Sequence, residues 1–119
     1  MSYAESFASA ERDPEQFWME AARSLEWVRF PQTAHDSATD QWFPDGLINT
    51  CTNAVDRHVA AGRGEQAALV YESPITGTSA TFTYNELLER VSRTAGMLAG
   101  AGVKTGDRVV IYMPMVPEA

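Results

Sequence analysis

The chain has 119 residues, 45% of them hydrophobic and 21% charged, and its 16 acidic and nine basic side chains give a formal net charge of −7. This length suits one ordinary globular domain, and the acidic balance excludes a general binder of nucleic acid or of anionic membranes, since both attract basic surfaces. One cysteine, Cys51, and two histidines, His35 and His58, exclude a disulfide framework and a metal cluster rich in cysteine or histidine.

Targeting signals are also missing from the sequence. The N-terminal stretch MSYAESFASAERD has neither the basic start nor the apolar run of a secretory signal. No apolar stretch approaches the roughly 20 residues of a membrane-spanning helix. We therefore expect a cytoplasmic protein with no membrane and no nucleic-acid partner.

The first predicted helix runs from Asp13 to Trp27. Asp13 is a suitable N-cap, Pro14 suits the first helical turn and Gln16 completes a capping box. Pro31 is expected to end this region. An apolar stripe at helical spacing predicts packing against a body, and it consists of Phe17, Trp18, Ala21, Ala22 and Leu25.

Residues 32–46 are rich in turn-forming residues, which predicts irregular structure. The large apolar Trp42 and Phe43 in this stretch should hold it against a surface. A second helix is predicted from Thr50 to Ala61, with Asn49 as its cap and Gly62 just after its end.

A β-hairpin is predicted next, because two runs rich in β-branched and aromatic residues, Ala67–Glu72 and Ala80–Tyr84, flank a turn-forming SPITGT sequence. A helix from the Thr83 and Glu86 capping box to Ala99 follows.

Arg108–Met113 is a nearly unbroken apolar run, which is typical of a strand covered on both faces. The pattern therefore predicts an α/β fold of leading helices, a hairpin, a helix and a buried strand. We expect it to be incomplete as a domain, because such a strand needs paired neighbours.

Gly62–Ala67 matches the G-x-G-x-x-A form of the dinucleotide fingerprint. It follows a predicted helix and precedes a strand, whereas the fingerprint must follow a strand and open a helix. We therefore interpret these residues as a helix end and a loop. The Walker sequence G-x-x-x-x-G-K-[ST] does not occur in the chain.

Three further features could carry chemistry. Asp56, Arg57 and His58 are consecutive, and neighbours on a helix diverge by about 100° per residue, so they are better interpreted as a surface with a half-buried histidine. Cys51 near a helix N-terminus could be a nucleophile with His58 or His35 as a spatial base, although no base lies near it in sequence. The Thr105–Arg108 turn could bind an anion, but its position suits a strand entry. We therefore predict no catalytic, cofactor-binding or metal-ligating residue.

Several segments, in collinear order over nearly the whole chain, resemble the AMP-forming short-chain acyl-CoA synthetases. The Asn49–His58 block resembles propionyl-CoA synthetases most, with acetyl-CoA synthetases as near neighbours. The segments that carry the resemblance are Asp13–Trp18, Glu20–Ala22 and Trp27, Trp42–His58, Phe82–Leu87, Gly102–Met115, and Glu118–Ala119.

The resemblance implies an enzyme that uses ATP, Mg²⁺ and CoA. A carboxylate attacks the α-phosphate of ATP to give an acyl-adenylate and pyrophosphate, and the CoA thiol then displaces AMP. The family's phosphate loop, acidic set and C-terminal lysine have no counterpart in this sequence, so we expect these residues to be inactive and to bind no cofactor alone.

The resemblance also implies a division of the chain. Residues 1–46 correspond to the N-terminal helix and wrapping segment, and residues 47–119 to the truncated start of the AMP-binding domain. The expected partner is the remainder of the synthetase. The alternative is a self-contained acidic interaction domain that binds through its acidic face or through Trp18 and Trp42.

Overall fold

A computed structural model describes residues 2–119 and divides the chain into two packed units, one ending at Asn53 and one running from Ala54 to Ala119. The fully buried residues of the described chain are small, and they include Ala22, Pro31, Ala34 and Val55. Among residues 2–119, none of the helices combines the length and the apolar character that crossing a bilayer requires.

The first unit begins with two capped helices, α1 (Tyr3–Arg12) and α2 (Pro14–Ala22). Ser2 and Glu5 form a capping box at α1, in which the Ser2 backbone N–H donates to the Glu5 carboxylate over 2.7 Å. Asp13 caps α2 by accepting from the backbone N–H of Gln16 over 2.9 Å. The cap at Asp13 confirms the sequence prediction, whereas α1 was not predicted.

Helix α2 ends five residues earlier than the sequence predicted. The chain turns after Ala22, and Trp27 lies in strand β1 (Trp27–Arg29) instead of in the helix. The indole Nε1 of Trp27 donates to the carbonyl of Ala22 over 2.8 Å. The same carbonyl also accepts from the backbone N–H of Leu25 over 3.1 Å, so these two bonds turn the chain at the helix end and the tertiary contact overrides the helical pattern.

Residues 32–46 contain more regular structure than predicted. Strand β1 pairs antiparallel with β4 (Leu47–Ile48), and β2 (His35–Asp36) pairs antiparallel with β3 (Gln41–Trp42). The carboxylate of Asp45 accepts from the backbone N–H of Gln32 over 2.9 Å. All four strands are only two or three residues long, and β1 and β4 are also distant in sequence, so the local pattern did not reveal them.

The helical stretch after Asn49 has a π-helical turn, Thr52–Asp56, continued by α3 (Arg57–Ala60). The Asn49 side chain accepts from the backbone N–H of Thr52 over 3.1 Å, as expected of the predicted cap. Gly62 follows the helix with a φ of 78°, a left-handed conformation that favours glycine. The helix was predicted, but its π geometry was not.

The second unit is built on the predicted hairpin and the helix that follows it. Strand β5 (Ala67–Ser73) pairs antiparallel with β6 (Thr78–Thr83), and Leu69 lies opposite Phe82. Helix α4 (Tyr84–Gly100) begins directly after β6 with the predicted Thr83 and Glu86 capping box. None of its residues is fully buried.

The predicted buried strand over Arg108–Met113 is wrong for the chain in this structure. These residues have no regular secondary structure and all are exposed, with Val110 at 86% and Tyr112 at 99%. Within residues 2–119, no strand pairs with this segment. Apolar composition alone cannot form a strand, because each peptide group needs a neighbouring strand to bond with.

Candidate functional site

In the second unit, a groove of about 640 Å³ lies between helix α4 and the hairpin, and we call it the α4 groove. Its apolar side chains are half-buried and come from both elements: Leu69, Phe82, Leu87, Val91 and Leu98. The helical period of α4 places Leu87, Val91 and Leu98 on one side. The spacing of these residues shows a shared face, but the sequence alone could not show that this face stays partly open.

Charged side chains lie along the rim of the α4 groove. The guanidinium of Arg90 lies 4.5 Å from the centre of the Phe82 ring, a cation–π contact. Arg93, which also lines the groove, forms an ion pair with Glu89 one turn earlier on α4. The lining is mostly apolar, with Arg90, Arg93 and Glu118 as its charged residues, so the groove is suited chiefly to apolar contact.

The first unit has an aromatic cluster around Trp42. The Trp42 ring meets Trp18 edge to face at 5.4 Å between centroids and His35 at 4.8 Å. Phe43 meets Trp27 at 5.4 Å in the same manner. Trp42 and Phe43 therefore hold their segment against α2 and β1, as the sequence predicted. A cleft of about 350 Å³ lies beside Trp18 and Trp42.

His58 is half-buried, as predicted, and its contacts are those of a structural residue. Its ring lies 4.6 Å from the ring of Tyr84, and Arg63 Nε donates to His58 Nδ1 over 3.2 Å. Burial, followed by the positive charges of Arg63 and Arg57, lowers the pKa of His58 below its ordinary value. Because Nδ1 already accepts a hydrogen bond from Arg63, His58 is a poor general base.

The other two candidates for nucleophilic chemistry, Cys51 and His35, both lie in the first unit. Cys51 is exposed in the first turn of its helix. His35 Nε2 lies 3.0 Å from the Asp40 carboxylate, and its ring packs on Trp42. The contacts of His35 with Asp40 and Trp42 are those of a residue that holds its own strand pair in place.

The two loops considered as phosphate or anion sites, Gly62–Ala67 and Thr105–Arg108, both form hydrogen bonds within the chain. Gly64 is buried, and its carbonyl accepts from the backbone N–H of Asn85 over 3.0 Å. In the Thr105–Arg108 turn, the Asp107 carboxylate accepts from the backbone N–H of Lys104 over 2.7 Å. A carboxylate at that amide repels an anion, and the bond at Gly64 joins its loop to the start of α4.

Residues 2–119 also contain no group of three or more histidine, cysteine, aspartate or glutamate side chains arranged to hold a metal ion. The arrangement offers surfaces for contact, chiefly the α4 groove and the aromatic cluster.

Comparison with known protein families gives two adjacent matches. Residues 3–54 match the family described as acetyl-coenzyme A synthetase N-terminus, and residues 56–119 match the family described as AMP-binding enzyme. The two matched regions meet close to the division between the two packed units, which falls after Asn53.

Curated relatives agree with these matches. The mitochondrial acyl-CoA synthetase short-chain family member 3 of Homo sapiens is 48% identical over 120 residues, covering 98% of this chain and 18% of the relative. The acetyl-coenzyme A synthetase of Paraburkholderia phymatum is 46% identical, with 98% of this chain and 18% of the relative covered. That of Caulobacter vibrioides is 41% identical, with 99% and 19% covered. The chain thus spans just under a fifth of the length of these relatives.

Proposed function

Because the chain belongs to the AMP-binding enzyme family, we propose that it is the N-terminal part of a short-chain acyl-CoA synthetase. The observation that carries the proposal is collinear similarity over nearly all of this chain to relatives named for acyl-CoA or acetyl-CoA synthesis. The matching regions together cover both packed units.

The proposed whole enzyme joins a short carboxylic acid to CoA at the expense of ATP. The carboxylate attacks the α-phosphate of ATP, pyrophosphate leaves, and the CoA thiol then displaces AMP from the acyl-adenylate. Catalysis of phosphoryl-centre chemistry of this kind depends on positioning and on neutralising charge. We assign the binding of ATP, Mg²⁺ and CoA to the rest of the enzyme; the support is that residues 2–119 contain no group of three or more histidine, cysteine, aspartate or glutamate side chains that could hold a metal ion.

We assign propionate as the favoured substrate and acetate as the second. The support is the form of the Asn49–His58 block. The division of the chain into residues 1–46 as a wrapping segment and 47–119 as the start of the AMP-binding domain belongs to the same proposal. A cytoplasmic location is part of the same proposal. The mitochondrion is the alternative, since the human relative is named a mitochondrial protein.

The 119 residues are proposed to brace the large domain and to have no activity of their own. The support is that the candidate groups already bond within the chain. His58 accepts a hydrogen bond from Arg63, and the Asp107 carboxylate accepts one from the backbone N–H of Lys104. Within this proposal, the α4 groove and the exposed Val109–Met113 segment are covered by the remainder of the synthetase.

The test is to sequence the DNA beyond codon 119, express the longest frame that contains it, and assay the product. We expect CoA-thioester formation that depends on ATP and on propionate, with a higher kcat/KM for propionate than for acetate. A larger product that forms thioesters only from acetate would overturn the propionate assignment alone. A frame product that activates no short carboxylate would overturn the proposed function.

A further inference from the structure

Asp45 is followed by Gly46, and this aspartate–glycine sequence occurs once in the chain. It is the sequence in which a peptide nitrogen attacks the preceding aspartyl carboxyl group most readily, because glycine has no side chain to hinder the approach. No other aspartate and no asparagine of the chain precedes a glycine. Chemistry between a side chain and its own peptide bond is therefore favoured at this one position.

In the structure, hydrogen bonds hold both of the groups that would react. The Asp45 carboxylate accepts from the backbone N–H of Gln32 over 2.9 Å and from that of Thr33 over 3.4 Å. The backbone N–H of Gly46 donates to the Phe43 carbonyl over 2.9 Å. The bond from Gln32 also holds the pKa of the Asp45 carboxyl below its ordinary value, and an ionised carboxylate is a poor electrophile. The two groups can therefore react only after these bonds open.

The turn that contains this sequence, residues 43–46, depends on its neighbours. Phe43 has a φ of 50°, in the left-handed region that bulky residues rarely adopt. Its ring packs against Trp27 at 5.4 Å between centroids, and Arg29 Nε donates to the Asp45 carbonyl over 2.8 Å. A strained turn that its surroundings hold in place can open locally while the rest of the protein stays folded.

We infer that Asp45 is a site of isoaspartate formation and that opening of the 43–46 turn controls the reaction. The nitrogen of Gly46 forms a bond to Cγ of Asp45, and the hydroxyl of the protonated carboxyl leaves as water with the amide proton. Water then opens the five-membered succinimide ring. When it attacks the main-chain carbonyl carbon, the bond from that carbon to nitrogen breaks and isoaspartate remains. One water leaves and one enters, so the step is an isomerisation that requires no other reactant.

The product does not fit the folded arrangement. The main chain of isoaspartate passes through Cβ and Cγ, which adds one carbon between Pro44 and Gly46, and the carboxylate that accepted from Gln32 becomes a peptide carbonyl. Gly46 has little room to move, since an added Cβ there would lie 2.7 Å from the Trp27 ring. The modification therefore makes a transient opening of the first unit permanent.

The first test compares folded and unfolded protein. The product of the longest frame that contains codon 119 is incubated at neutral pH with and without urea, and isoaspartate at residue 45 is quantified by electron-transfer fragmentation of its peptides. We expect formation to be at least about tenfold slower in the folded protein, because the reaction follows the open population. Asp45→Glu, whose carboxyl would have to close a six-membered ring, is the control and should remain unmodified at residue 45 in urea.

Two matched variants test the control by the turn. Arg29→Met removes the donor to the Asp45 carbonyl and keeps a long side chain, whereas Arg12→Met removes the same charge at the end of α1. In folded protein, isoaspartate formation should rise by about three- to tenfold in Arg29→Met, roughly the effect of one lost hydrogen bond. It should not change in Arg12→Met. In urea, the two variants and the unmodified protein should react at the same rate, because the chemistry itself is unaltered.

Three results would overturn the inference. The first is no isoaspartate at residue 45 in urea, which would show that the sequence does not react. The second is an equal rate in folded and unfolded protein, which would show that the bonds give no protection. The third is an equal rate in the two folded arginine variants, which would show that the turn does not control the reaction. The inference depends on the turn and not on the proposed function, so an inactive frame product would leave it standing.

Discussion

The Nε atom of Arg63 donates a hydrogen bond to Nδ1 of His58 over 3.2 Å, while the His58 ring lies against Tyr84. Burial and the neighbouring positive charges lower the pKa of His58 below its ordinary value of 6.5. The unfolded chain therefore binds the proton more readily than the folded chain does.

The first prediction concerns the pH dependence of stability. The stability that His58 contributes is complete above pH 6.5 and is lost as the pH falls from there through the lowered pKa. The free energy of unfolding, measured with urea, should fall between pH 7 and pH 5, and His58→Gln should flatten that slope. An unchanged slope in the variant would assign it to other groups.

The pKa of His58 itself can be followed by NMR. Arg63→Gln removes one positive neighbour, so the pKa of His58 should rise towards its ordinary value without reaching it, since burial remains the largest cause. Arg93→Gln, at an exposed arginine of α4 that pairs with Glu89, is the control and should leave the titration unchanged. Titration of the unmodified chain at or above pH 6.5 would contradict the account.

A second prediction concerns Asp45. The backbone N–H of Gln32 is the main cause that lowers the pKa of the Asp45 carboxyl below its ordinary value of 3.8. The stability it contributes is therefore present above pH 3.8 and is lost as the pH falls through the lowered pKa. Asp45→Asn should lower the urea midpoint at pH 7 and reduce the loss of stability below pH 4. A variant with the acid sensitivity of the unmodified chain would contradict this role.

A third prediction concerns the cap of helix α4. The Thr83 hydroxyl accepts from the backbone N–H of Glu86 over 3.2 Å, and the Glu86 carboxylate accepts from the Thr83 backbone N–H over 2.8 Å. Thr83→Ala should cost about 1 kcal/mol of unfolding free energy, whereas Thr83→Ser keeps the hydroxyl and should cost much less. Equal losses in the two variants would show that the methyl group, not the cap, matters.

A fourth prediction compares two glycines. A Cβ atom at Gly46 would lie 2.7 Å from the Trp27 ring and 3.2 Å from the Phe43 carbonyl oxygen, whereas one at Gly96 would meet nothing within 4 Å. Gly46→Ala should therefore destabilise the first unit by about 1–3 kcal/mol. Gly96→Ala, inside α4, should stabilise its helix by about 0.5–1 kcal/mol. A neutral Gly46→Ala would mean that Trp27 can move aside.

Local chemistry allowed the elements with strong signals to be predicted from the sequence. The capping box at Thr83 and Glu86 begins α4, and the β-branched runs on either side of SPITGT form the hairpin. The Ser2 and Glu5 capping box at the start of α1 is an equally clear local signal, so α1 was also predictable from the sequence.

Other features depend on contacts that no local pattern contains. Trp27 leaves the helical pattern because its indole bonds to Ala22, and β1 pairs with β4 across a long loop. Residues 108–113 have the composition of a strand, but composition does not supply the neighbouring strand. The α4 groove could not be predicted from the sequence either, because the spacing of Leu87 and Val91 shows that they share a face but not what covers that face.

The central claim, that these residues brace an acyl-CoA synthetase without carrying its chemistry, is tested most directly by AMP release. The purified 119-residue chain is incubated with ATP, Mg²⁺, CoA and propionate, and AMP is quantified against a blank without protein. We expect no AMP above the blank from this chain, and propionate-dependent AMP from the product of the longer frame. Steady propionate-dependent AMP release by the 119 residues alone would contradict the account.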